Sequence, residues 1–398
     1  MRGRDASRSP RVLFVTGAYA PEISAGGLQC QAVAQRLAPR IGCQVLTTTT
    51  DPSLPARAIV DGVAVSRVGV DLSRSGGSTR AMPRMLKELV RLVAQVDLVH
   101  VQGFSQKNVL VSLVAKAFSR PVVMSLQTAK HDEPAAVATQ GRLAWWAFSS
   151  ADLYLSVSPA LEQAYLAAGL AAGRIRQVPN GVDLVRFSPA TEQARASLRR
   201  RLKLPNDRPL VLSVGTLARD KQPHLLFDAW RQLQADASRA CTLVYVGATS
   251  PRQFEADANL ADQIRGEADR SGLGDRVVFV APTHDVHDYY RAADIFVLAS
   301  AREGLPIALL EAMACGLPSV ASRLPGSTDV LITHELNGLL VSSTDAPGFA
   351  TALGFLLAHP AAAAQMGAAA RQSVEERFDM DRIAEAWLAA YQDVLQGE

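Results

Sequence analysis

Val178-Pro-Asn-Gly-Val-Asp-Leu-Val-Arg-Phe-Ser-Pro189 interrupts a chain otherwise made of short apolar runs and helical stretches. Proline, asparagine and glycine break any regular element here, and a polar, arginine-rich stretch follows as far as Pro209. On the N-terminal side of this break the apolar runs are Val12–Thr16, Gln44–Thr47, Val63–Val68, Leu98–Val101, Val122–Leu126 and Leu153–Val157. On the C-terminal side the pattern restarts with Leu210–Val214, Thr242–Val246, Val277–Val280, Ile295–Leu298, Ser319–Ala321 and Leu339–Val341. Several runs are apolar throughout, as strands covered on both faces are. Their alternation with helical stretches predicts a parallel sheet wrapped by helices, built twice. The expected fold class is therefore α/β: two facing doubly wound domains, residues 1–188 and 189–377, with an interdomain cleft. A terminal helix is expected over 378–398, with Ile383, Trp387, Ala390 and Tyr391 on one side. Ligands of such sheets lie beyond the carboxyl ends of the strands, which makes the cleft the expected site.

Composition supports this division. A chain of 398 residues exceeds one ordinary core. Hydrophobic residues at 48% beside 20% charged ones describe a packed globular protein. The longest apolar runs, such as Val109–Ala117, fall short of a membrane span. Met1 to Arg11 carries four arginines and no apolar core, which is no secretory signal and gives a cytoplasmic expectation. Cys30, Cys43, Cys241 and Cys315 are scattered, which disfavours a zinc site or a disulfide framework. The net charge of +3 is uneven: residues 1–189 hold 21 Lys and Arg against 12 Asp and Glu, and residues 190–398 hold 20 against 26. The basic half suits anionic lipid, phosphorylated acceptors or its partner domain. No basic run is interleaved with aromatics, so no nucleic-acid partner is expected.

Three segments can carry chemistry. The first, Ala301-Arg-Glu-Gly-Leu-Pro-Ile-Ala-Leu-Leu-Glu311, follows the run Ile295–Leu298 and opens a helix near Gly304, Leu305 and Pro306. A helix start offers unpaired N–H groups and a positive dipole end to phosphate or sugar hydroxyls. Glu303 precedes it, and Glu311 lies about 12 Å further on if the stretch is helical. Glu311 stands among Leu309, Leu310, Ala312 and Met313, and a carboxylate in such company needs a partner. The second segment is Val214-Gly-Thr-Leu-Ala-Arg-Asp-Lys-Gln222, where Arg219 and Lys221 could neutralise a departing diphosphate in place of a metal ion. No Asp-x-Asp pair of metal-binding type lies in or beside these segments, the chain's one such triplet being Asp379-Met380-Asp381 near its end. The third is Pro21-Glu-Ile-Ser-Ala-Gly-Gly-Leu-Gln29, whose Gly26 and Gly27 permit close approach of an anion. It matches neither the dinucleotide fingerprint nor a phosphate loop. Solvated loop charges and a plain flexible loop are the competing readings of the last two.

In combination these segments resemble the retaining glycosyltransferases of family four, which have the GT-B architecture of two Rossmann-like domains. Glu303 and Glu311 match the family's Glu-x7-Glu signature, and Glu311-Ala-Met-Ala-Cys-Gly-Leu-Pro318 its usual wording. Val178-Pro-Asn-Gly-Val-Asp183 with Arg186-Phe187 resembles its interdomain linker, and Asn337-Gly-Leu-Leu-Val341 its late strand. The Gly-Gly loop, Asp97–Val101 and Ala151 to Ser158 fall in family order, so the resemblance covers residues 11–395.

The resemblance implies transfer of a sugar from a nucleotide-diphosphate donor to an acceptor hydroxyl, with retention by front-face attack. It implies neither a metal nor a cofactor. It assigns Glu303 to the donor sugar and reaction centre, Glu311 to the ribose, Lys221 to the diphosphate, and the Gly304–Pro306 backbone to sugar hydroxyls. It also implies that the terminal helix crosses back to the acceptor-side first domain. Closure would bring Gly26 and Gly27 toward donor phosphates near Gly215. Thr216 replaces the first diphosphate-binding arginine of many members, leaving Arg219 as its substitute. Gln127 stands where members often carry a histidine near the donor sugar, with His131 close by, and Gly42-Cys43 replaces Gly-His. A nucleotide-sugar epimerase, a phosphorylase or a non-catalytic binding protein of the same fold are the alternatives. Residues 72–96, with Met82, Met85, Leu86, Leu89, Val93 and Val96 at helical spacing and Arg84, Lys87 and Arg91 opposite, read as a basic amphipathic helix for peripheral membrane contact or for packing on the sheet.

Overall fold

The computed structural model describes residues 9–71, 77–247 and 257–397. Two compact units emerge: the chain up to Asn180 together with the stretch from Met380, and Gly181–Asp379. The first unit contains β1 (Arg11–Thr16), β2 (Gly42–Thr49), β3 (Arg57–Val60), β4 (Val63–Gly69), β5 (Leu98–Gln102), β6 (Val122–Leu126), β7 (Leu153–Ser156) and β8 (Ile175–Gln177). They form one sheet in the order β3-β4-β2-β1-β5-β6-β7-β8. All pairings are parallel except β3 with β4, a hairpin closed by Asp61-Gly62. Both turn residues have positive φ, 49° and 80°, as the tight turn of a twisted hairpin requires. The central strands β1, β5 and β6 are almost wholly buried, which explains their predominantly apolar wording.

The second unit contains β9 (Leu210–Val214), β10 (Thr242–Val246), β11 (Val277–Val280), β12 (Ile295–Leu298), β13 (Ser319–Ser322) and β14 (Leu339–Val341), in the order β11-β10-β9-β12-β13-β14. Its pairings are all parallel. The helix Pro223–Leu233 packs Trp230 and Phe227 into its core, and the Trp230 indole N–H donates to the Cys241 carbonyl at 3.1 Å. Among the described residues no single helix is long and apolar enough to cross a membrane.

Two boundaries differ from the expected ones. Residues 181–188, expected with the first domain, pack in the second unit: the Phe187 ring lies edge-on to Tyr290, and Arg371 donates to the Phe187 carbonyl at 2.7 Å. The last helix runs Met380–Gln396, so Phe378 and Asp379 stay with the second unit. Ile383, Trp387, Ala390 and Tyr391 are buried in the first unit's core, beside the helix Ala25–Leu37. His100 of β5 anchors them. Its Nδ1 meets the Tyr391 hydroxyl at 2.6 Å, its Nε2 the Ser125 hydroxyl at 2.7 Å, and its ring lies 4.4 Å from Trp387. Burial holds this imidazole down to about 3, so it stays neutral near pH 7.

Candidate functional site

β9 lies between β10 and β12, so the sheet order reverses at the β9/β12 boundary, where open α/β sheets bind ligands. The two loops leaving these carboxyl ends are 215–222 and 299–306. They are joined by several contacts. Lys221 Nζ meets Glu303 Oε1 at 2.7 Å, and Ser300 Oγ donates to the same oxygen at 2.6 Å. Arg302 donates to Asp220 at 3.1 Å, and the Ala301 N–H to the Asp220 carbonyl at 2.7 Å. The side chains of Lys221 and Glu303 are largely withdrawn from solvent, and their opposite charges compensate one another. Gly215, at φ +150°, shapes the start of the first loop. A Cβ on Gly247 would meet the Gly215 carbonyl oxygen at 1.7 Å, so these two strand ends approach as only glycine allows.

The helix expected from Gly304 onward begins later. It runs Ile307–Ala314 with Pro306 as its N-cap, so Pro306 precedes the first turn and Glu303 lies in an irregular loop. The helical rise therefore does not measure the Glu303–Glu311 separation. Gly304, Leu305 and Pro306 are buried, and the turn they form leads into the helix start. Glu311 is only 8% exposed, not a surface residue. Burial raises its carboxyl from 4.5 to about 7, opposed by the neighbouring Tyr290 phenol and the Arg186 guanidinium. The Tyr290 hydroxyl, itself buried, forms no hydrogen bond of normal geometry. Burial in an apolar helix thus favours the neutral form of the Glu311 carboxyl.

The remaining expected residues are placed differently. Thr216 is half-buried beside the exposed Gly215, and Arg219 turns outward: its side chain is 86% exposed and paired with Asp257 at 3.4 Å. Arg219 thus pairs with Asp257 while Lys221 pairs with Glu303. In the first unit, Gly26 and Gly27 belong to the first turn of the helix Ala25–Leu37 and not to a free loop, with Ser24 accepting from the Gly27 N–H at 3.1 Å. A Cβ on Gly27 would meet the Ala18 carbonyl at 2.4 Å, whereas Gly26 faces open space. Gln127 follows β6, and its buried Nε2 has no partner. His131 is half exposed and meets Asp132 at 2.9 Å.

Several residues of these sites were not singled out from sequence. Asp132, fully buried, organises the loop after β6 by accepting from the Phe104, Gln127 and Thr128 N–H groups at 2.8 to 2.9 Å. Ser300, Asp220 and Arg302 brace the Lys221–Glu303 pair, and Tyr290 and Arg186 flank Glu311. Each is a single polar residue in a loop or on a helix, with no spacing pattern to mark it. Arg186 alone carried a signal, its place in the linker wording.

Comparison with known proteins agrees with this fold. Residues 27–186 fit the family described as Glycosyltransferase Family 4, and residues 194–373 that described as Glycosyl transferases group 1. A D-inositol 3-phosphate glycosyltransferase of Catenulispora acidiphila is 30% identical over 401 residues, 94% of this chain and 92% of that protein. Another, from Xylanimonas cellulosilytica, is 35% identical over 223 residues, 55% of this chain. In that match the chain spans 51% of the relative's length. The sucrose-phosphate synthase of Thermosynechococcus elongatus superimposes with a TM-score of 0.80 at 25% identity, over 98% of this chain and 100% of that one. HepE of Anabaena, solved with UDP and glucose, has the same fold, with a TM-score of 0.78 at 20% identity over 96% of this chain and 99% of its own. The near full-length match at 30% identity, with both family descriptions met in order along the chain, shows that this protein belongs to the glycosyltransferases of family four.

Proposed function

We propose that this chain is a retaining, metal-independent hexosyltransferase that moves a sugar from a nucleotide-diphosphate donor to an acceptor hydroxyl. The observation that carries the reading is the Lys221–Glu303 pair at the β9/β12 switch point, with the buried Glu311 on the helix that follows. A diphosphate competes with Glu303 for the Lys221 ammonium, and the carboxylate released from that pair is then available to the donor sugar. The turn at residues 304–307 offers its amides to sugar hydroxyls, and Glu311 accepts from the ribose. In the transfer step the acceptor oxygen bonds to the anomeric carbon on the face that the phosphate leaves. The anomeric C–O bond breaks with its electron pair going to the phosphate, and the acceptor proton passes to that phosphate oxygen. Lys221 neutralises the charge that develops there, the role a metal ion would otherwise fill.

A donor screen tests the reading. UDP-glucose comes first, because HepE was solved with it. The expected result is release of nucleoside diphosphate from one donor class, unchanged by excess chelator. Activity abolished by chelator and restored by magnesium or manganese refutes the metal-independent part. Failure to release diphosphate from any donor refutes the transferase.

The helix Gly77–Val93 supports a peripheral membrane contact as a second part of this reading. Residues 72–76 of the expected amphipathic stretch lie outside the described residues. Met85, Leu89 and Val93 are buried, but Met82, Leu86 and Val90 are 39%, 42% and 38% exposed at i, i+4 and i+8. The expected single apolar face is therefore two stripes, one inward and one outward. Arg80, Arg84 and Lys87 accompany the outer stripe, whereas Arg91 is held by Glu88 at 2.7 Å. Cationic and apolar side chains sharing an outer face suit an anionic lipid surface. The protein is expected to sediment with phosphatidylglycerol-containing vesicles at low salt, and Leu86→Glu to abolish this. Absence of sedimentation at low salt rules it out.

A further inference from the structure

The first sheet has a switch point of its own. β1 lies between β2 and β5. Val15 pairs with Val101, so the strand ends Thr16 and Gln102 are neighbours. β6 comes next, with Ser125 opposite Gln102 and Gln127 two residues beyond. Lys107 starts the helix Lys107–Ala117 that follows β5, and its ammonium donates to the Thr16 carbonyl at 2.9 Å. Among the described residues this is its one hydrogen bond, and no carboxylate pairs with it. Burial lowers this amine to about 8, with no neighbouring charge to counter the effect.

A withdrawn ammonium without a counter-charge is unfavourable in the free protein, and sites of this kind persist where a ligand completes them. The adjoining strand ends add two orphaned atoms, the buried Gln102 Oε1, an acceptor, and the buried Gln127 Nε2, a donor. A cation with an amide acceptor and an amide donor matches a hydroxylated anion: the charge meets the ammonium and the hydroxyls meet the amides. We infer that Lys107, with Gln102 and Gln127, binds the acceptor, and that this acceptor is a polyhydroxylated molecule bearing a phosphate or a carboxylate. The inference rests on the transferase reading above. Gln127, expected near the donor sugar, serves the acceptor in this arrangement.

The test is an acceptor panel on the full-length protein: hexose and inositol monophosphates and hexuronic acids, each beside its neutral parent. Anionic acceptors are expected to be used and their neutral parents not, the phosphate and carboxylate arms showing which anion is taken. Lys107→Met is expected to raise KM for the anionic acceptor about tenfold or more, the scale of a lost hydrogen bond to a charged group. The donor KM should stay within about twofold, a change below about 0.5 kcal/mol. A second readout separates binding from support of the Thr16 carbonyl. Removing an uncompensated charge should leave Tm unchanged or higher in Lys107→Met, and inorganic phosphate should raise Tm of the wild type only. Equal use of neutral parents, a rise in the donor KM instead, or a lower Tm with an unchanged preference for anions overturns the inference. If no donor is turned over by the wild type, the transferase reading fails, while the phosphate effect on Tm still decides Lys107.

Discussion

Glu303→Gln and Lys221→Ala are each expected to fold as the wild type does and to lose transfer by ~10²-fold or more, the scale for removing one electrostatic contact at the reaction centre. The two losses have different origins. Lys221→Ala removes the cation that meets the departing phosphate and leaves Glu303 with Ser300 as its remaining side-chain hydrogen-bond partner. Glu303→Gln keeps the shape of the side chain and an oxygen for Ser300, but removes the charge that Lys221 faces. In the glutamine variant the ammonium is no longer occupied by a carboxylate, so diphosphate binding should hold or tighten while kcat falls. In the alanine variant both should weaken. Because the residues share one contact, the double variant should lose less than the product of the single losses. Steady-state kinetics beside calorimetric titration of nucleoside diphosphate separates these effects. Turnover near wild type in either single variant removes that residue from the mechanism.

The parts of this arrangement that sequence made visible are those with a repeated or periodic signal. Buried parallel strands read as short, mostly apolar runs, and each of the twelve runs quoted above corresponds to a strand. The two missed strands lacked that signal. β3 is an edge strand with Ile59 79% exposed, and β8 is three residues long beside the linker. The Asp61-Gly62 pair ahead of Val63 was nevertheless a usable hairpin mark. Glu303, Glu311 and Lys221 were legible because they follow strands at family spacing. Which partner each would take was not. Arg219 and Lys221 are two residues apart in one short 3₁₀ turn, yet one faces Asp257 and the other Glu303. Asp132 and Lys107 derive their importance from burial, which depends on loops meeting in space and leaves no periodicity in the chain.

Glu311 carries the last prediction, because its protonation is tied to what it binds. Its folded-state value of about 7 lies above the ordinary 4.5, so the native protein holds this proton more tightly than the unfolded chain does. The associated stability is full below 4.5 and is lost as pH rises through 7, a span on the order of 3 kcal/mol. Ribose hydroxyls that donate to the carboxylate favour its ionised form and so draw the value down. Donor affinity should therefore strengthen from about pH 6 to about pH 8, with a proton released on binding at the lower pH. Titration of nucleoside diphosphate in two buffers of different ionisation enthalpy measures that proton directly. Glu311→Gln should abolish both the proton release and the pH dependence. Glu311→Ala should weaken donor binding by about 10- to 100-fold, the range for losing hydrogen bonds to a charged group. It should change kcat little, because the ribose is the same in ground and transition states. Unchanged donor affinity in Glu311→Ala, or binding without proton release in the wild type, would show that the buried carboxylate serves the fold and not the donor.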